Sequence, residues 1–240
     1  MSTPGAERIC IALDFGTRDE VLTAAKRFAG RVGWMKVGLE AFVAEGPSLV
    51  ADVAAMAGGA KIFLDLKFHD IPATVAGAVA SAAYSGASMV NVHASGGRAM
   101  LEAARQAAER ARLARLIAVT LLTSIDVPAL AELPMVGEPA HVARQLALLT
   151  KGCGLDGVVC PAVDLEAIRE ACGPEFLTVV PGIRPAGADV QDQKRIATPA
   201  SAIAAGADVL VIGRPVTGAR DPDAALSAIL EEVAAAVPRT

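Results

Sequence analysis

Eight short runs of β-branched and aliphatic residues recur along this chain, each followed by a longer, mostly alanine-rich stretch. A short apolar run between turn signals reads as a strand buried on both faces, and a following stretch of helical period reads as the helix that covers it. The runs are ICIALD, GWMKVG around Met35, KIFLDLK around Leu64, SMVNVH around Val90, RLIAVTL around Ala118, DGVVC around Val158, FLTVVP around Val179 and DVLVIG around Leu210. Candidate helices between them include Arg18–Ala29, Ala73–Ser85, Arg98–Arg112, Pro139–Lys151, Leu165–Ala171, Pro199–Ala205 and Asp223–Ala235. Eight such units predict a closed (β/α)8 barrel of the TIM type rather than an open doubly wound sheet.

The length of 240 residues suits one barrel, and no low-complexity linker interrupts the series, so residues 1–240 are expected to form a single catalytic domain. Hydrophobic residues make up 53% of the chain but aromatics only 3%, which argues against an aromatic platform for nucleic acid. A formal charge of −4 gives no basic field for a polyphosphate backbone or an anionic membrane surface. An anionic ligand must therefore be held by local groups. No apolar run is long enough to span a bilayer and the first residues do not resemble a secretory signal, so the expected location is the cytoplasm. Cys10, Cys153, Cys160 and Cys172 form no CxxC pair and read as reduced thiols.

Charges interrupt the strand pattern at the C-terminal ends of the runs, where apolar or small side chains would favour stability. Asp14 ends the first run, Lys36 lies in the second, and Asp65 and Lys67 end the third. Strand alternation sends Asp65 and Lys67 to one face and Leu64 and Leu66 to the other. If that face is the interior, an acid and an ammonium stand together at the barrel mouth. With Asp70 they form Asp-x-Lys-x-x-Asp, followed by Pro72, a residue suited to the first turn of a helix. Alternating charges at Lys36, Asp65, Lys67 and Asp70 favour one another's ionised forms. A structural ion-pair network at the rim is the alternative. Placement at the strand ends, the catalytic face of such barrels, favours chemistry.

Two further segments exceed a tight turn: Thr123–Glu138, and Ile183–Ile196, which is a candidate lid. The seventh run ends Pro181-Gly182-Ile183-Arg184 and the eighth ends Gly213-Arg214-Pro215. Barrels often bind phosphate with the loops after strands seven and eight, where glycine admits the anion to backbone N–H groups and an arginine adds a permanent charge. Histidines number three, His69, His93 and His141, without metal-ligand spacing, so no metal is expected. His93 ends the fourth run, but a lone histidine there reads as a packing residue.

The segments ALDF, KVGLE, FLDLKFHDIPATV, VTLLTS, VVPGIRP and VIGRPVT, in order from about residue 9 to 217, resemble the bacterial orotidine 5′-monophosphate decarboxylase family. DLKFHDIPAT is the most specific of them. The resemblance implies decarboxylation of orotidine 5′-monophosphate to uridine 5′-monophosphate and CO2, a step of pyrimidine biosynthesis, without cofactor or metal. It implies that Lys67 protonates C6 of the pyrimidine after CO2 leaves, with Asp65 against the substrate carboxylate. It also implies that Asp70 with Thr74 reaches across a homodimer interface into the neighbouring site, and that Ile71 contacts substrate. Asp14 and Lys36 correspond to the ribose contacts, Lys36 also belonging to the charge chain. Thr123 and Ser124 correspond to the pyrimidine contacts, and Arg184, Gln193, Gly213 and Arg214 to the phosphate and lid contacts. Two other readings stand beside it: a metal-dependent sugar-phosphate decarboxylase or lyase on the same barrel, and a non-catalytic nucleotide-binding barrel, against which Lys67 argues.

Overall fold

In the computed structural model, which describes residues 4–185 and 197–237, the eight apolar runs pair in chain order as a closed parallel barrel. The strands are β1 (Ile9–Ala12), β2 (Trp34–Gly38), β3 (Lys61–Phe68), β4 (Met89–His93), β5 (Arg115–Val119), β6 (Gly157–Val159), β7 (Leu177–Val180) and β8 (Val209–Ile212). β8 closes on β1 through Ile9↔Leu210, Cys10↔Val211 and Ile11↔Ile212. Around them run α1 (Arg18–Phe28), α2 (Leu39–Glu45), α3 (Ser48–Met56), α4 (Pro72–Tyr84), α5 (Gly97–Arg110), α6 (Val127–Ala131), α7 (Pro139–Gly152), α8 (Leu165–Cys172), α9 (Pro199–Ala204), α10 (Arg214–Thr217) and α11 (Pro222–Ala236). Among the described residues no helix is long and apolar enough to cross a membrane.

Alternation along each strand builds two cores. Cys10, Ala12, Trp34, Phe63, Met89, Ile117, Val119, Val159, Val179, Val209 and Val211 fill the barrel interior. Their strand neighbours, among them Ile9, Ile11, Met35, Leu64, Val90, Leu116 and Leu210, pack outward against the helices. Truncating a large, fully buried interior residue such as Phe63 to alanine costs about 3–5 kcal/mol.

The helix starts follow local chemistry. Proline occupies the first turn of α4, α7, α9 and α11, where its missing N–H leaves no bond unmade. Thr17, Thr198 and Asp221 cap their helices by accepting from backbone N–H groups of the first turn. The segment between β2 and β3, for which no helix is named above, folds as α2 and α3, split at Gly46-Pro47. Likewise the segment Thr123–Glu138 carries the short α6, capped by Asp126, whose side chain accepts from the Ala129 N–H at 3.1 Å.

At the N-terminal end of the barrel two carboxylates bind the starts of strands. Asp156, just before β6, accepts from Leu116 N–H at 2.7 Å and meets Arg105 of α5 at 3.3 Å. Asp208, just before β8, accepts from Thr178 N–H at 2.8 Å and pairs with Arg169 of α8 at 2.5 Å.

Candidate active site

At the opposite end the inward positions turn polar, and their spacing follows from the register. Ala12 pairs with Lys36 and Lys36 with Phe63, so Lys36 stands above the apolar filling, and Asp65 is two residues beyond Phe63 on the same face. Beyond β1 the chain stays tied to β2 through Leu13 N–H to Lys36 C=O at 2.9 Å, which brings Asp14 to the rim. Lys36 Nζ lies 2.7 Å from Asp14 Oδ1 and 3.5 Å from Asp65 Oδ2, and Lys67 Nζ lies 2.7 Å from Asp65 Oδ1. Gly38 leaves room for this chain: a Cβ there would come within 2.7 Å of Asp14 Oδ1 and 2.8 Å of Lys36 Nζ.

The Lys36 side chain is only 8% exposed and that of Asp65 13%. Burial by itself would push the Lys36 ammonium down; the Asp65 and Asp14 carboxylates outweigh it and hold its pKa above the ordinary lysine value. Burial by itself would push Asp65 up, but Lys36, Lys67 and hydrogen bonds from Lys67 and Asn91 hold it below the ordinary aspartate value. The interior of the mouth therefore carries fixed charges of both signs at neutral pH.

These groups line one side of a cleft of about 660 Å³. Leu121, Leu122, Thr123 and Ser124 line another part of it, and Gly182, Arg184, Gly213 and Arg214 line the side formed after β7 and β8. Gly182 has φ 77°, a left-handed backbone that favours glycine. Arg184 is buried, its N–H bonded to Ala197 C=O at 2.9 Å and its Nη1 donating to Ile183 C=O at 3.0 Å. Val119, Val159 and Val211 of the interior also face the cleft. Thus Asp14, Lys36, Asp65, Lys67, Thr123, Ser124, Arg184, Gly213 and Arg214 converge on one space.

Asp70, Ile71 and Thr74 do not line that cleft. They stand exposed where β3 passes into α4, and Asp70 Oδ1 accepts from the N–H of Ile71 at 2.6 Å. Gln193 and most of the candidate lid lie outside the described residues.

Two features add to the expected site. Asn91, fully buried in β4, hydrogen-bonds both Asp65 and Lys67; its signal in the sequence is a primary amide amid the apolar run MVNVH. His69 and His93, far apart in sequence, lie against each other with ring centroids 5.4 Å apart and planes tilted by 38°. Burial and the neighbouring His69 and Lys67 hold His93 below the ordinary histidine value. Among the described residues no group of three or more His, Cys, Asp and Glu side chains is arranged to hold a metal ion. All four cysteines are buried and free.

Comparison with known proteins agrees with this geometry. Residues 7–229 match the model of the orotidine 5′-phosphate decarboxylase / HUMPS family. A protein named orotidine 5′-phosphate decarboxylase from Halorhodospira halophila (strain DSM 244 / SL1) is 51% identical over 98% of this chain and 100% of its own length. One of the same name from Nitrosococcus oceani is 50% identical over 94% of this chain and 97% of its own. The crystal structure of orotidine 5′-phosphate decarboxylase from Lactobacillus acidophilus superimposes with a TM-score of 0.80 at 34% identity, covering 94% of this chain and 98% of that one. Match, fold and a continuous charge chain at the strand ends agree: this chain belongs to the orotidine 5′-phosphate decarboxylase / HUMPS family.

Proposed function

We propose that this cleft converts orotidine 5′-monophosphate to uridine 5′-monophosphate and CO2, the decarboxylation its relatives are named for, as a step of pyrimidine biosynthesis. The observation that carries the reading is the Lys67 ammonium held 2.7 Å from the buried Asp65 carboxylate, in a cleft whose far side presents Arg184, Gly213 and Arg214. The whole chain acts as one catalytic domain.

Cleavage of the bond between C6 and the carboxylate leaves its electron pair on C6, where no carbonyl is placed to delocalise it. A cation fixed at that carbon stabilises the developing charge more than it stabilises the substrate, and that difference lowers the barrier. Lys67 fills this role and then transfers an Nζ proton to C6; the neutral amine left behind recovers a proton from water. Asp65, kept ionised by its lysines, repels the substrate carboxylate, and the repulsion vanishes as neutral CO2 departs. Asp14 and Lys36 take the ribose hydroxyls, and Thr123 and Ser124 the pyrimidine. Arg184, Gln193, Gly213 and Arg214 take the phosphate, and its binding free energy, far from the reacting bond, serves the chemical step.

The exposed Asp70, Ile71 and Thr74 complete the site of a second copy in a homodimer, which accounts for their absence from the cleft of their own chain. Buried, free thiols fit a cytoplasmic enzyme. The Asp65 and Asp14 carboxylates are already paired with the ammonium groups of Lys36 and Lys67, which leaves less negative charge for a divalent ion and favours metal-free decarboxylation over sugar-phosphate chemistry. Purified protein incubated with orotidine 5′-monophosphate should yield stoichiometric uridine 5′-monophosphate and CO2. Turnover of a pentulose or hexulose phosphate with magnesium, and none of the nucleotide, would replace this function with the sugar-phosphate one.

A further inference from the structure

Asn91 is the middle residue of the five-residue β4 and has no exposed surface. A primary amide in such a place is costly unless its donors and acceptor are matched. Both ends of this one are used on the two residues that carry the chemistry. Its Oδ1 accepts from the backbone N–H of Lys67 at 2.8 Å, and its Nδ2 donates to Asp65 Oδ1 at 2.6 Å. That carboxylate oxygen is the one that also receives Lys67 Nζ. The orientation of the amide is fixed by its partners, since the Lys67 N–H can only donate and the carboxylate accepts.

The backbone explains why such a residue is needed. Between β3 and β4 the pairing steps from Leu64↔Val90 directly to Phe68↔Val92, so β3 bulges across from Asn91. Within the bulge Lys67 has φ 53°, a left-handed conformation that costs a long side chain about 1–2 kcal/mol. Bulges beside active sites re-aim side chains, and strained backbone persists only where the surroundings determine it. The Lys67 N–H, out of register with β4, finds its acceptor in the Asn91 side chain instead of a strand carbonyl.

We propose that Asn91 is a positioning residue for the decarboxylation: its amide holds the β3 bulge that aims Lys67 and fixes the Asp65 oxygen with which Lys67 pairs. This rests on assigning decarboxylation to the cleft. A carboxamide suits the place where its near-isosteres do not. Aspartate keeps an acceptor for the Lys67 N–H but sets a second carboxylate against Asp65. Leucine keeps the volume and removes both bonds.

The test compares wild type, Asn91→Asp and Asn91→Leu for kcat and KM on orotidine 5′-monophosphate, uridine 5′-monophosphate affinity, thermal midpoint and the pH profile of kcat. Misplacement of a reacting group by about 1 Å costs roughly 10²-fold, so kcat should fall by about that much or more in both variants. KM and product affinity should stay within about threefold, because the phosphate and ribose contacts lie on other strands. In Asn91→Asp the acid limb should move to higher pH, since Asp65 loses a donor and gains a like charge. Asn91→Asp is isosteric and carries the test if Asn91→Leu does not fold. Either folded variant with near wild-type kcat would overturn the proposal, as would a parallel loss of kcat, product affinity and thermal midpoint with the acid limb unmoved. A wild type inactive on the nucleotide would remove the underlying function and the proposal together, whereas an active wild type beside a fully active Asn91→Asp removes the proposal alone.

Discussion

Both ends of the barrel carry buried or half-buried ion pairs, and they use them differently. At the N-terminal end Asp156 and Asp208 each spend a carboxylate oxygen on a strand N–H and are tied to Arg105 and Arg169 of the surrounding helices. Their charges are absorbed into closing the sheet. At the C-terminal end the chain Asp14, Lys36, Asp65, Lys67 joins side chains to one another and opens onto a cleft of about 660 Å³. The same interaction serves stability where it meets backbone and chemistry where it meets empty space.

Perturbing one end should therefore leave the other nearly untouched. A large effect is expected at Asp65: Asp65→Asn removes the charge that balances two ammonium groups and that is proposed to repel the substrate carboxylate, and kcat should fall by about 10³-fold. Product affinity, measured by calorimetry, should hold, because uridine 5′-monophosphate has no carboxylate to repel. Next, Lys67→Ala and Asp70→Asn chains, each inactive alone, should recover about a quarter of wild-type activity when mixed equally, since half the dimers are hybrids with one native site. Confirmed subunit exchange without recovery would break the shared site. On the β7–β8 side, Arg214→Ala should raise KM by about 10–100-fold, the worth of one charge-assisted phosphate contact.

At the N-terminal end the comparison sharpens. Asp208→Ala leaves Thr178 N–H and Arg169 short of an acceptor and should cost about 1–2 kcal/mol in denaturant unfolding, with kcat unchanged. A large kcat loss there would contradict the division. The smallest effect concerns pH. Asp65 is held below its ordinary value, so its contribution to stability is present above that value and is lost as pH falls through the lower, folded one. Lys36 is held above its ordinary value, so its contribution is present below that value and is lost as pH rises through the higher, folded one. Lys36→Met removes a cation that restrains Asp65, so the acid-unfolding midpoint, followed by circular dichroism, should move to higher pH.

How much of this the sequence discloses depends on whether a feature is periodic or singular. The barrel is legible because each strand repeats the same apolar signal, and Asp65 and Lys67 are legible as charges that violate it. α2 and α3 are harder to see, because Leu39–Met56 is apolar enough to mimic core and is divided by Gly46-Pro47. The left-handed backbone at Lys67 has no local signal at all: lysine does not favour it, and the bulge exists because β4 offers a side-chain acceptor at Asn91. Strict alternation would have carried Asp65 and Lys67 to one face; they do meet, but through the bulge as well as the pleat. The tilted contact between His69 and His93 depends on which strands become neighbours. The roles proposed for Asp70, Ile71 and Thr74 would need a second chain, so neither periodicity nor the geometry of one chain can display them.

The central claim is that Lys67, in its place against Asp65, drives the decarboxylation without a metal ion. The measurement is loss of the orotidine 5′-monophosphate absorbance by wild type and Lys67→Ala in excess EDTA, with uridine 5′-monophosphate binding as the check that the variant is folded. The account predicts rapid conversion by wild type undiminished by chelation, and no detectable conversion by a Lys67→Ala protein that still binds the product. Wild-type activity abolished by EDTA and restored by magnesium, or comparable turnover by Lys67→Ala, would contradict it.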